Sequence, residues 1–208
     1  MARTWGHIPG AQADPDDWLA WQILLNERDP TPALREAAAI RASFRSVSRL
    51  YVGLLLLGDD PGAAELARLD LTPWDRDLYR GIEAWRRSDL GAAVARFQAV
   101  ARLGAPSRGL AQWWLAYAAF EAHDDRVAIA AATDFERDLS QCAPWRAWGL
   151  ARLLYRKAVT QERAGDHAAA LATVDRLLGL WKRADPDLPL LAEARALRAR
   201  LVAALPRR

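Results

Sequence analysis

The chain has 208 residues, 52% of them apolar and mostly Ala and Leu, with 29 basic and 26 acidic side chains for a net charge of +3. β-Branched residues are few and no long Val/Ile alternation occurs, which excludes a sheet-based fold and predicts helix nearly end to end. The single cysteine, Cys142, excludes an internal disulfide framework and a multi-cysteine zinc site, and fits a reducing compartment.

A chain of this length accommodates one large domain, two small ones or an elongated repeat array. The N-terminal stretch MARTWGHIPGAQADPDDW has no apolar run of signal-peptide length. DPDDWLAWQILLNERDP (14–30) reads as a capped helix: Asp14 precedes Pro15 at a first-turn position, and Asp16 and Asp17 suit the positive helix N-terminus. Next comes YVGLLLLG (51–58), far too short to cross a bilayer, so the expectation is a soluble, cytoplasmic protein.

From here the sequence repeats itself. YVGLLLLGDDPGAAELA (51–67), GIEAWRRSDLGAAVARF (81–97), AYAAFEAHDDRVAIAAA (116–132) and AVTQERAGDHAAALATV (158–174) share one plan. Each is a helical stretch, a corner ending in Asp, and an Ala-rich second helix. The corners are Gly58-Asp59, Ser88-Asp89, His123-Asp124 and Gly165-Asp166. Four residues after each Asp stands Ala63, Ala93, Ala128 or Ala170, and four after that Ala67, Phe97, Ala132 or Val174. The Asp supplies an N-cap, and the small residue lets two antiparallel helices approach closely. Such a hairpin leaves an apolar face uncovered, which a neighbour must stack upon.

These residues resemble the tetratricopeptide repeat, with Gly81, Asp89, Ala93, Phe97 and Pro106 on its small, corner, Ala, aromatic and closing-proline positions. The other copies match at Leu50, Gly58, Asp59 and Ala63; at Leu115, Ala116, Asp124 and Ala128; and at Ala158, Gly165, Asp166 and Ala170. Where the family often has an aromatic three residues after the small position, this chain has Leu54, Ala84, Ala119 and Gln161. Uneven spacing implies an extended first helix, from about Trp145, in the last copy. The resemblance implies an all-α, tetratricopeptide-like solenoid in a single domain, with hairpins over 34–70, 74–107, 109–143 and 145–184 and caps over 14–30 and 187–205. An irregular helical repeat of a neighbouring type is the structural alternative.

LWKRADPDLPLLAEAR (180–195) closes the last hairpin. Asp185 before Pro186 ends one helix, Asp187 is placed to cap the next, and Pro189 falls in its first turn. The run resembles the ends of tetratricopeptide regions attached to bacterial serine/threonine kinases and transcriptional regulators.

Groups able to converge on catalysis are scarce. His7, His123 and His167 are separated by long intervals, and no HExxH, CxxC, EF-hand, Walker or GxSxG pattern occurs. The reading is of a non-enzyme with no cofactor and no metal. In the family, the first helix of each hairpin lines a concave groove, and carrying that register over gives three sets. They are Asp75, Leu78, Ile82, Trp85 and Arg86; Leu110, Trp113, Tyr117, Phe120 and Glu121; and Arg152, Tyr155, Val159, Glu162 and Arg163. Across helices, Leu78, Trp113 and Tyr155 form one column and Ile82, Tyr117 and Val159 another. Large apolar anchors edged by Arg suit a bound peptide or partner helix; the bland reading has the aromatics filling space between helices. A second class of function comes from charge: from Trp145 onward thirteen basic side chains, nearly all Arg, face six acidic ones. That balance suits nucleic acid or another polyanion, although Lys is scarce and no nucleic-acid module is recognisable.

Overall fold

The computed structural model describes residues 73–103, 108–137, 144–184, 186 and 188–205, without the side chains of 74, 75, 144–148 and 189. The expected helix at 14–30, the hairpin at 34–70 and Cys142 lie outside these residues. The described residues are all-α: α1 (Pro73–Arg86), α2 (Leu90–Arg102), α3 (Arg108–Glu121), α4 (Asp125–Arg137), α5 (Pro144–Arg163), α6 (His167–Leu180) and α7 (Pro189–Ala204). No strand occurs among them. None of these helices is long and apolar enough to cross a membrane.

Three antiparallel pairs, α1/α2, α3/α4 and α5/α6, are joined by corners that match atom for atom. Each first helix ends on a residue in the left-handed region, Ser88 (φ 60°), His123 (φ 58°) or Gly165 (φ 82°). The following Asp sends its N–H back five residues, to the carbonyls of Ala84, Ala119 and Gln161, each at 2.9 Å. The left-handed residue sends its own back three, to Trp85, Phe120 and Glu162. This paired closure satisfies carbonyls that a helix end would leave bare. The same Asp then starts the next helix. Its carboxylate accepts from the backbone N–H of Ala92, Val127 or Ala169 at 3.0–3.1 Å, and its carbonyl accepts from Ala93, Ala128 or Ala170. One residue thus closes one helix and caps another, leaving no slack in the turn.

Close packing follows directly. Gly81 lies against the buried ring of Phe97, so near that a Cβ on Gly81 would stand 2.5 Å from the ring. Ala116 and Ala158 hold the corresponding place in the next two hairpins and are buried, as are Ala93, Ala128 and Ala170 opposite. Consecutive helices pack from α1 to α7, and α1 also touches α3, α3 touches α5, and α5 touches α7. A continuous core runs through them, from Leu78 and Phe97 through Trp113, Trp114 and Phe135 to Leu177 and Leu201. α5 is 20 residues long against 14 for α1 and α3, which accounts for the wider spacing before the last corner.

α7 lies on α6 and α5, and its buried Leu191, Ala194, Leu197 and Leu201, three or four residues apart, share one face. Its N-cap position is Leu188, which makes no side-chain cap, and Pro189 is in the first turn. Asp187, the expected cap, lies outside the described residues; a proline at the start has no N–H to be capped and its ring presets the helical φ, which lessens the need for a side-chain acceptor.

Two substitutions separate backbone strain from packing. Ser88→Gly, which relieves a left-handed non-glycine residue, should raise unfolding free energy by about 0.5 kcal/mol, whereas Gly165→Ala should lower it by about 1 kcal/mol although its Cβ meets nothing within 4 Å. Urea denaturation of both variants checks the pair of signs. Gly81→Ala should lose about 2 kcal/mol in the same assay, because the Phe97 ring is fully buried and has no room to yield.

Candidate functional site

The odd-numbered helices divide the expected groove residues into two groups. Leu78, Ile82, Trp113 and Tyr117 are all buried, at 5% exposure or less. They are interior packing, which corrects their expected place on an open groove wall. The reason is that α1 touches α3 and α3 touches α5, so side chains aimed at the neighbouring hairpin are covered by it. Trp113 stacks on Tyr117 at 4.0 Å between centroids and meets Trp114 edge-on at 5.3 Å. Its indole N–H reaches the carbonyl of Gly149 on α5 at 3.4 Å. Tyr155 and Val159, in the same two columns on α5, are half-buried against the core.

Trp85, Arg86, Phe120, Arg152 and Tyr155 are half-buried, and Arg163 is exposed. Several of these side chains are tied into a row that crosses from hairpin to hairpin. Trp85 Nε1 on α1 donates to Glu121 Oε2 on α3 at 2.6 Å, while its ring meets Trp114 edge-on at 5.1 Å. The other oxygen of Glu121 accepts from Arg156 of α5 at 3.4 Å. The Arg156 guanidinium lies over the ring of Tyr117 at 3.7 Å and 5.0 Å from that of Phe120. Phe120 is also approached by Arg163, at 5.2 Å. Cation and ring attract through the negative face of the π-system, more strongly where water is excluded.

Arg163 is held at the second corner. It donates to Asp125 Oδ1 from Nε, at 2.7 Å, and from Nη2, and Nη1 faces His123 Nδ1 at 2.8 Å. A guanidinium can only donate, so that histidine nitrogen is the acceptor. Asp124 beside it is used as the α4 cap. His123-Asp124-Asp125 is thus an occupied corner, and no group of three or more His, Cys, Asp or Glu side chains fit to hold a metal occurs among the described residues.

Arg156 stands ten residues before its corner Asp, where the two preceding hairpins hold the buried aromatics Tyr79 and Trp114 and the first copy of the sequence holds Arg49. The signal in the sequence is that change of residue type, with the guanidinium stacking where a ring would otherwise pack. The Tyr155 phenol is raised above its ordinary pKa, first by burial and then by the Glu193 carboxylate of α7. Arg200 reaches Glu162 at 3.1 Å. A further triad joins the last two hairpins: Glu136 of α4 accepts from Lys157 of α5 at 3.1 Å and from Arg176 of α6 at 2.8 Å, with Lys157 and Glu136 nearly buried. Arg198 meets Asp175 at 2.6 Å. Much of the basic charge of the C-terminal part is therefore matched locally by carboxylates.

Burial raises the Tyr117 phenol above its ordinary pKa, against the opposing pull of the Arg156 and Arg152 guanidinium groups. A raised folded value means that the stability contributed by the neutral phenol is fully present below pH 10.0 and is lost as pH climbs through the folded value. Wild type should accordingly lose stability relative to Tyr117→Phe only above about pH 10, with the difference flat from about pH 6 to 9, in urea titrations across that range. Comparison of the chain with protein-family models, curated proteins and solved structures finds no match.

Proposed function

We propose that the chain is a non-catalytic protein-interaction module, a tetratricopeptide-like helical-hairpin solenoid that holds a peptide or partner helix across its odd-numbered helices. One observation carries this reading: the row Trp85, Glu121, Arg156, Phe120 and Arg163 is built from three successive hairpins and is fixed by its own hydrogen bonds and ring contacts. Aromatic and Arg side chains held in place before binding lose little entropy on contact, and they are the residue types that dominate binding energy at protein interfaces. Tyr155 and Arg152 extend the same helix face on α5. A partner carboxylate could compete with Glu121 or Asp125 for a guanidinium already in place.

The rival reading, binding of nucleic acid or another polyanion through the Arg-rich C-terminal third, is less well supported. Arg163, Arg176, Arg198 and Arg200 each meet a carboxylate of this chain, and neutralised pairs attract phosphate weakly.

Affinity capture from the native host tests the proposal, comparing wild type with a Phe120→Ala, Tyr155→Ala double variant of unchanged helicity by circular dichroism. The variant should retain less than about a tenth of the bound partner, a loss of roughly 1.4 kcal/mol or more. Equal recovery by both proteins would show that this face is not the binding surface. Recovery of nucleic acid that falls steeply with salt would move the assignment to the basic end.

A further inference from the structure

We infer that the cleft between α2, α3 and α4 is a binding site for a small organic anion that also carries a hydrogen-bond donor. The cleft has a volume of about 580 Å³, within the range of pockets that enclose small ligands and short for an extended peptide. It uses none of the residues of the row across α1, α3 and α5.

Its chemistry is two-sided. Arg102 comes from the last turn of α2, Arg108 from the first residue of α3, and Arg126 from the start of α4. Arg102 and Arg126 have no carboxylate partner among the described residues. Arg102 and Arg126, from the end of α2 and the start of α4, each supply a forked donor suited to a carboxylate or phosphate.

The second observation is independent of charge. Gln112, on the cleft wall, is 3% exposed, and its amide oxygen Oε1 has no hydrogen-bond partner. A buried acceptor left unmade costs about 1–3 kcal/mol, and rotation about the broad terminal torsion of glutamine lets the oxygen turn toward a donor in the cleft. Asp134, also on the wall, spends Oδ1 on Arg137 at 3.1 Å, and its other oxygen is a second acceptor. Leu115 and Val127 give the floor an apolar part. A ligand with an anionic group at one end and an O–H or N–H at the other satisfies both walls.

The test is an NMR titration of the full chain with L-glutamate, citrate, glucose 6-phosphate and adenosine monophosphate, with sulfate and glucose as controls and hexaglutamate as the peptide arm. At least one donor-bearing anion should saturate with a Kd below about 1 mM, and whether carboxylate or phosphate wins identifies the anionic group. Arg102→Gln with Arg126→Gln, both exposed positions, should weaken it at least tenfold. Gln112→Met should weaken it similarly while leaving the thermal midpoint equal or higher, since it removes an unpaired polar atom; a purely structural Gln112 would give no binding loss. The Phe120→Ala, Tyr155→Ala variant should bind the ligand as wild type does. Absence of saturation by all four probes, equal binding of sulfate, affinity unchanged in the cleft variants, or binding of hexaglutamate alone would each overturn the inference.

Discussion

The two-residue corner is the constraint on which the arrangement rests. A left-handed residue followed by Asp turns the chain through a full reversal, with both N–H groups bonded back to the helix they close, and it does so identically at Ser88-Asp89, His123-Asp124 and Gly165-Asp166. Because the turn has a fixed shape, the places eight before and four after each Asp are buried in all three hairpins. That is why these places hold Gly81, Ala116 and Ala158 on one helix and Ala93, Ala128 and Ala170 on the other. The small side chains bring the axes together, and larger ones such as Phe97 and Val174 close the gap one turn on.

Between hairpins a different chemistry takes over. Backbone bonds and small apolar contacts hold each pair together, whereas the junctions are dressed with long side chains: Trp85 to Glu121, Arg156 to Glu121, Arg163 to Asp125, Lys157 and Arg176 to Glu136. Indole and guanidinium groups have the reach to cross such a junction and an apolar body that packs while the polar end bonds. The same side chains compose the row we assign to partner binding, so the candidate surface is made of the groups that join the hairpins.

Much of this was legible in the sequence, and the misses share a cause. Asp caps, small-residue spacing and the all-helical character follow from local rules, and the corners at Asp89, Asp124 and Asp166 have the local geometry those rules predict. Helical periodicity identifies an apolar face without saying what covers it. Leu78, Ile82, Trp113 and Tyr117 have the spacing of a groove wall, yet the next hairpin lies on them. A cation at a core register looks like an interruption in the sequence, yet the Arg156 guanidinium stacks on Tyr117. The cleft of Arg102, Gln112 and Arg126 joins residues from three helices with no shared motif, so only three-dimensional placement reveals it.

The uniform corner also bears on how the chain reaches this state. Contacts run between neighbouring helices and next-nearest ones, and even the reach from Arg163 to the Phe120 carbonyl spans only 43 residues. Chains whose contacts are this local close small loops and fold quickly. During synthesis, at roughly 5–20 residues per second, each reversal has its capping Asp and its small residues on hand as soon as its own second helix emerges. A nascent hairpin can therefore form before its successor exists, offering the face on which that successor condenses.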